Sequence, residues 1–227
     1  MLTAAIVTST HSVPPLANIC GLAAGCIGVS MTWPQAWRLW VGRRHAGLSL
    51  TANTVGVLYT VGWLLYGIAS HSAVQIASCL LGLLGGVAIL VGHLVLSRPP
   101  VKHWLPLLVA GLVALGLVAT LGRTTMGLVA SAATITGVVP QVVHLVRARR
   151  AGRTDARGVS RLRWLLSAAC NGLWVVYGVM VGDVVIIGNS TTIATLAVLV
   201  VVLSTPRTYR RAGAGTHRVP EALVVPA

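Results

Sequence analysis

"MTWPQAWRLWVGRR", residues 31–44, sets a proline and a glutamine near the end of a long apolar run and follows them with arginines. Proline in a helix interior removes one backbone hydrogen bond and crowds the carbonyl four residues back, so the helix gains nothing locally from it. The pair returns in "GVVPQVVHL", residues 137–145, where Pro140-Gln141 matches Pro34-Gln35. Basic residues come after each pair, then Gly-x-Ser ("GLS" at 47–49, "GVS" at 158–160), then Trp-x-x-Tyr-Gly ("WLLYG" at 63–67, "WVVYG" at 174–178). The offset is 106 residues at Pro-Gln and 111 from Gly-x-Ser onward, so five residues are inserted within "RARRAGRTDARG", where a loop tolerates them. Three motifs in one order, twice, identify an internal duplication.

The duplication sits in a membrane protein. Of 227 residues, 56% are hydrophobic and 9% charged, more apolar surface than a soluble domain of this length hides in a core. Apolar runs long enough to span a bilayer recur at 16–37, 50–70, 73–96, 103–122, 124–146, 162–181 and 184–204, predicting seven helices. No basic residue precedes the first run, and it is too long for a signal-peptide core, so it reads as a mature helix. The net charge of +14 is distributed by topology: arginines and Lys102 crowd the segments after helices 1, 3, 5 and 7, whereas the alternate loops hold only Arg123, Asp183 and the uncharged "SHS" at 70–72. That alternation is the positive-inside pattern of a cell-membrane protein with its N-terminus outside and its C-terminus cytoplasmic, and it argues against nucleic-acid binding.

Helices 1–3 and 5–7 are the two copies, with helix 4 unmatched. Three crossings leave a copy's end on the side opposite its start, so a fourth crossing is needed to keep both copies parallel, related by an axis along the membrane normal. The expected organisation is an extracellular segment at 1–15, a first repeat at 16–97, a linker helix at 98–122, a second repeat at 123–205 and a disordered tail at 206–227. This pattern resembles the PQ-loop repeat proteins, and the 3+1+3 plan resembles the SWEET sugar transporters, whose half-sized bacterial relatives are the SemiSWEETs. The resemblance implies an all-α integral membrane fold and transport of a mono- or disaccharide. Other PQ-loop proteins export cystine or basic amino acids, so a carrier of an amino acid or other small polar solute is the alternative reading.

At a rise of about 1.5 Å per residue, Trp63, Trp174 and Asn189 lie roughly 10, 13 and 9 Å below the outer surface. Two indoles and an amide at one level suit a sugar, since aromatic faces pack on a pyranose ring while an amide donates to and accepts from hydroxyls. The resemblance implies the same place, with pocket residues on the second helix of each repeat and asparagines on the third. Trp174 and Asn189 match; in the first repeat Ser78 stands where an asparagine is expected. Asn171 and its repeat partner Thr60 extend the candidate pocket inward, with an interhelical hydrogen bond as the competing role of Asn171. Tyr66 and Tyr177, nearer the surface, fit an interfacial aromatic belt.

The four cysteines lie in apolar runs and read as small buried hydrophobes, and no histidine pair has metal-ligand spacing, so neither metal nor cofactor is expected. The acidic residues Asp155, Asp183 and Glu221 fall outside helix interiors, which leaves no carboxylate relay and favours uncoupled, facilitated transport. The only lysine, Lys102, stands at the membrane edge, excluding a retinal Schiff base deep in a seven-helix sensor, and the helices carry no catalytic constellation. Pro34 and Pro140 are the expected pivots of a cytoplasmic gate, with Gln35 and Gln141 placed to bond a freed carbonyl or latch it. The substrate is a small molecule and the surroundings a lipid bilayer. With both repeats in one chain a monomer is competent, and a homo-oligomer is compatible with the pattern.

Overall fold

The computed structural model describes residues 14–43, 49–151 and 160–205. Among these residues seven α-helices follow one another: α1 Pro15–Trp40, α2 Leu50–Ala69, α3 Ala73–Ser97, α4 Leu105–Thr120, α5 Arg123–Arg150, α6 Arg161–Val181 and α7 Val184–Ser204. All but α4 are long and apolar enough to cross a membrane, giving an all-α multi-pass membrane protein. Most of the 1–15 segment, the 206–227 tail, Gly47, Gly158, Asp155 and Glu221 lie outside the described residues.

The repeated motifs are the joints of the bundle. The serine of each Gly-x-Ser is an N-cap: Ser49 Oγ accepts from the amide of Ala52 at the start of α2, and Ser160 Oγ from that of Arg163 at the start of α6. The glycine of each Trp-x-x-Tyr-Gly lets the third helix turn back tightly. The amides of Ser72 and Asp183 donate to the carbonyls of Gly67 and Gly178 at 3.0 and 2.8 Å. A Cβ at Gly67 would come 3.2 Å from Gln75, and one at Gly178 would come 2.9 Å from Ile187. Ser72 and Asp183 then cap α3 and α7.

Within the first repeat α1 packs on α3 and α3 on α2; in the second, α5 packs on α7 and α7 on α6. The repeats meet along two seams, α1 against α6 and α2 against α5, which exchange when the repeats are exchanged. This is the expected parallel pseudo-twofold arrangement. Among the described elements α4 lies against α2, α5 and the turn that precedes it, with Leu115 its one buried residue, so it covers one seam and not the other.

Three boundaries depart from the predicted ones. A short 3-10 turn, Val101–His103, takes the beginning of the fourth run, leaving α4 with 16 residues, about 24 Å against a hydrocarbon core of about 30 Å. α1 and α5 run on to Trp40 and Arg150, so Pro34 and Pro140 lie well inside helices. The segments past the prolines are held from outside: Trp40 Nε1 donates to the carbonyl of Ala88 on α3 at 2.9 Å, and Arg149 donates to the carbonyls of Val202 and Thr205 at the end of α7 at 2.8 and 3.0 Å. Of the four cysteines, read as buried, only Cys170 is; Cys26 is exposed on α1, because its side chain points away from both helices that pack on α1.

Candidate functional site

The end of the bundle opposite the arginine-rich one, the outer end in the expected orientation, is closed by a reciprocal pair of contacts. Tyr66 of the first repeat donates its hydroxyl to the carboxylate of Asp183 in the second, 2.7 Å from both oxygens, and Tyr177 of the second repeat lies 2.7 Å from the Oγ of Ser72 in the first. The 111-residue offset carries Tyr66 onto Tyr177 and Ser72 onto Asp183, so one interaction is made twice across the pseudo-twofold axis. The two tyrosines are 0% and 3% exposed, and Asp183 is 6% exposed. This corrects the belt assignment of the tyrosines and the surface placement of Asp183. A phenol that finds a partner across the repeats is better satisfied there than at the lipid interface.

Glycines make room for these rings, and they too are related by the repeat. Gly21 of α1 faces the ring of Tyr177, and Gly127 of α5 faces that of Tyr66; a Cβ at either would fall 2.6 Å from the valine behind, Val74 or Val185. The chemistry of the two halves differs. Asp183 also accepts from the amides of Val185 and Ile186 at 3.1 Å, and Arg123, half-exposed, stands 3.9 Å from it and 5.8 Å from the centre of the Tyr66 ring. Ser72 provides a neutral hydroxyl that accepts from the Gln75 amide.

Directly inward lie the two tryptophans. Trp63 meets Tyr66 edge-on at 5.5 Å and Trp174 meets Tyr177 edge-on at 5.2 Å, so both indoles pack on the same outer cluster with Ala17, Met126, Val185 and Ile186. Trp63 Nε1 donates to Thr134 Oγ1 of α5 at 3.1 Å, a further link between the repeats. A fourth runs from Cys170 Sγ to the Ala24 carbonyl at 3.2 Å. Among the described residues the hydrogen bonds between repeats all fall in the outer half of the bundle.

The remaining candidates are less tightly assembled. Thr60 and Asn171 donate to carbonyls of their own helices, Gly56 and Ser167, each at 2.8 Å, so Asn171 does not form the interhelical bond that was its alternative role. Ser78 is half-buried with its Oγ directed at Gly25 of α1. Asn189 is half-buried, and its Oδ1 is shielded from solvent without a hydrogen-bond partner. Gln75, 3% exposed, donates Nε2 to the Trp63 carbonyl at 3.2 Å and likewise leaves Oε1 unpartnered. An unmet buried acceptor costs about 1–3 kcal/mol, so such atoms call for a donor from outside. Asp, Glu, Lys and Arg are absent from the helices between the Arg123–Asp183 rim and the basic end.

Toward the basic end, Pro34 and Pro140 are both exposed on the outward sides of their helices. Gln35 and Gln141 are half-buried, and neither amide makes a hydrogen bond among the described residues. Sequence reasoning missed the tyrosine latch, Thr134 and Gln75. The repeated Trp-x-x-Tyr-Gly carried the signal for the first, because both tyrosines sit at one register.

Two parallel three-helix repeats about an axis normal to the membrane, joined by a reorienting helix, define the parallel-repeat class of helical membrane folds. A solved eukaryotic SWEET transporter is similar in structure, with a TM-score of 0.66 over 83% of this chain and 96% of that one, at 17% sequence identity. At that identity the likeness establishes the fold. No protein-family model matches the sequence, and no curated protein matches it.

Proposed function

We propose that this protein is a carrier for a small neutral polar solute, a mono- or disaccharide in the first instance, working by alternating access without ion coupling. The observation that carries the reading is the reciprocal latch, Tyr66 with Asp183 and Tyr177 with Ser72, closing the outer end over a layer of two tryptophans. Among the described residues the hydrogen bonds between repeats cluster toward that end, which braces it. Beneath the latch, Trp63 and Trp174 offer aromatic faces to a sugar ring and the Oδ1 of Asn189 offers an acceptor to a hydroxyl. Ser78 stands at the register of Asn189 in the first repeat, and Thr60 and Asn171 extend the pocket inward. Its lack of charge disfavours an ionic substrate, which would need a fixed counter-charge in so dry a place.

Pro34 and Pro140 are the pivots of the opposite gate in this reading. The post-proline segments are tied to α3 and α7 by Trp40 and Arg149, so each pivot moves the third helix of its repeat along with the first or fifth. The N-terminus faces outside and the basic end faces the cytoplasm of a cell membrane, by the charge bias of the loops. Uptake of radiolabelled glucose, sucrose and a panel of amino acids into proteoliposomes tests the proposal. Sugar uptake that Trp174→Ala and Asn189→Ala abolish is the expected result; uptake of amino acids alone refutes the sugar assignment, and no uptake of either refutes the carrier.

A further inference from the structure

Three tryptophans, Trp33, Trp37 and Trp40, occupy the basic end of α1 at helical spacing i, i+4, i+7 and are 45%, 70% and 50% exposed. They share a face with exposed Leu16, Ile19 and Leu22, while Gly21, Ala24, Gly25, Ala36 and Leu39 fill the side that meets α3 and α6. The row therefore faces outward from the bundle, and neither the seam between repeats nor the candidate pocket uses it. At the 106-residue offset the second repeat has Val139, Val143 and Val146, so duplication does not explain the tryptophans.

The row is anchored. Trp40 donates Nε1 to the Ala88 carbonyl, and Gly85 and Gly92 of α3 lie under the edges of Trp33 and Trp40: a Cβ there would come 3.7 and 3.1 Å from their Nε1 atoms. Two indoles thus lie across the α1–α3 groove while Trp37 stands clear of it. Arg38 on α1, Arg43 just beyond it and Arg98 at the end of α3 are exposed at the same end of the bundle. The one acidic residue among the described residues, Asp183, belongs to the opposite end. That end thus offers three exposed arginines, with no acidic partner among the described residues, as well as an aromatic ledge on the lipid-facing surface.

We infer that this shelf is a binding site for an anionic glycerophospholipid, its acyl chains against the tryptophans and its phosphate held by Arg38, Arg43 and Arg98. Indoles favour the boundary between acyl chains and headgroups, and arginine pairs with phosphate through several N–H donors. Charge complementarity selects the anionic headgroup over a zwitterionic one.

The test uses the full chain in bilayers carrying bromine-labelled phospholipids, which quench tryptophan fluorescence on contact. Brominated phosphatidylglycerol should quench with a relative binding constant at least about fivefold above brominated phosphatidylcholine, the factor that one arginine near an anionic surface contributes. Arg38→Gln/Arg43→Gln/Arg98→Gln should erase that preference while quenching by phosphatidylcholine persists. Trp33→Phe/Trp37→Phe/Trp40→Phe should remove the selectively quenched component, identifying which tryptophans report it. Equal quenching by the two lipids in the unaltered protein overturns the inference. So does feeble quenching by either lipid together with cross-linking of a second copy through Trp37→Cys, which assigns the face to an oligomer.

Discussion

Tyr66→Phe removes one hydroxyl and almost no volume. The hydroxyl lies 2.7 Å from both oxygens of a carboxylate that is 6% exposed, so it is a charge-assisted bond made away from water. Such bonds contribute about 1.5–3 kcal/mol, whereas a neutral bond contributes about 0.5–1.5 kcal/mol. Tyr177 donates to, or accepts from, a neutral serine hydroxyl at the same distance. If the latch holds the outer end shut, Tyr66→Phe should shift the equilibrium toward an outward-open form by about 10- to 150-fold, and Tyr177→Phe by about 2- to 12-fold. Spin labels at exposed Ala69 and Val179, in a cysteine-free background, report the separation of the two outer ends. The expected order of the longer-distance population is Tyr66→Phe above Tyr177→Phe above the unaltered protein. Unchanged distances in Tyr66→Phe, with only a lowered melting temperature, would refute the gate and leave the tyrosine as a static brace; equal shifts in the two variants would refute the assigned role of charge.

Four further outcomes are expected. Gly127→Ala puts a methyl 2.6 Å from Tyr66 Cε2 and Val185 Cγ1 and should lower stability by about 1–3 kcal/mol in thermal unfolding. Gly116→Ala, with nothing within 4 Å, should raise stability by up to about 1 kcal/mol through helix propensity. Trp63→Phe and Thr134→Val each break the 3.1 Å bond between α2 and α5, so a double-mutant cycle should return a coupling of about 1 kcal/mol; additive effects would mean that the bond contributes nothing. Replacing Pro34 and Pro140 together by alanine should slow exchange while equilibrium substrate binding stays within about twofold, and unaltered exchange rates would remove the prolines as pivots.

The seven helices and the duplication were legible in the sequence because each rests on local or additive physics. Apolar length, loop charge and the parity of crossings need no knowledge of which helix touches which. The Gly-x-Ser serines could be picked out because an N-cap interacts with its own first turn, and the repeated glycine because the turn back into the third helix follows it directly. Boundaries were least legible where tertiary bonds extend a helix, as Trp40 and Arg149 do past the prolines. The candidate pocket was legible only as a level: depth places Trp63, Trp174 and Asn189 together, but rotation about each helix axis decides what an amide faces. Side-chain torsions turned Asn171 and Thr60 onto carbonyls one turn back on their own helices, while Asn189 Oδ1 is left unpartnered.

The sequence by itself determined that this chain is a pair of parallel three-helix repeats in a membrane, with a matched proline in the first helix of each. Only the tertiary structure decided that the tyrosines reach across the axis to the caps of the opposite repeat, over separations of 117 and 105 residues. Those partners come into reach where Gly21 and Gly127, lacking a Cβ, let the two repeats close on each other.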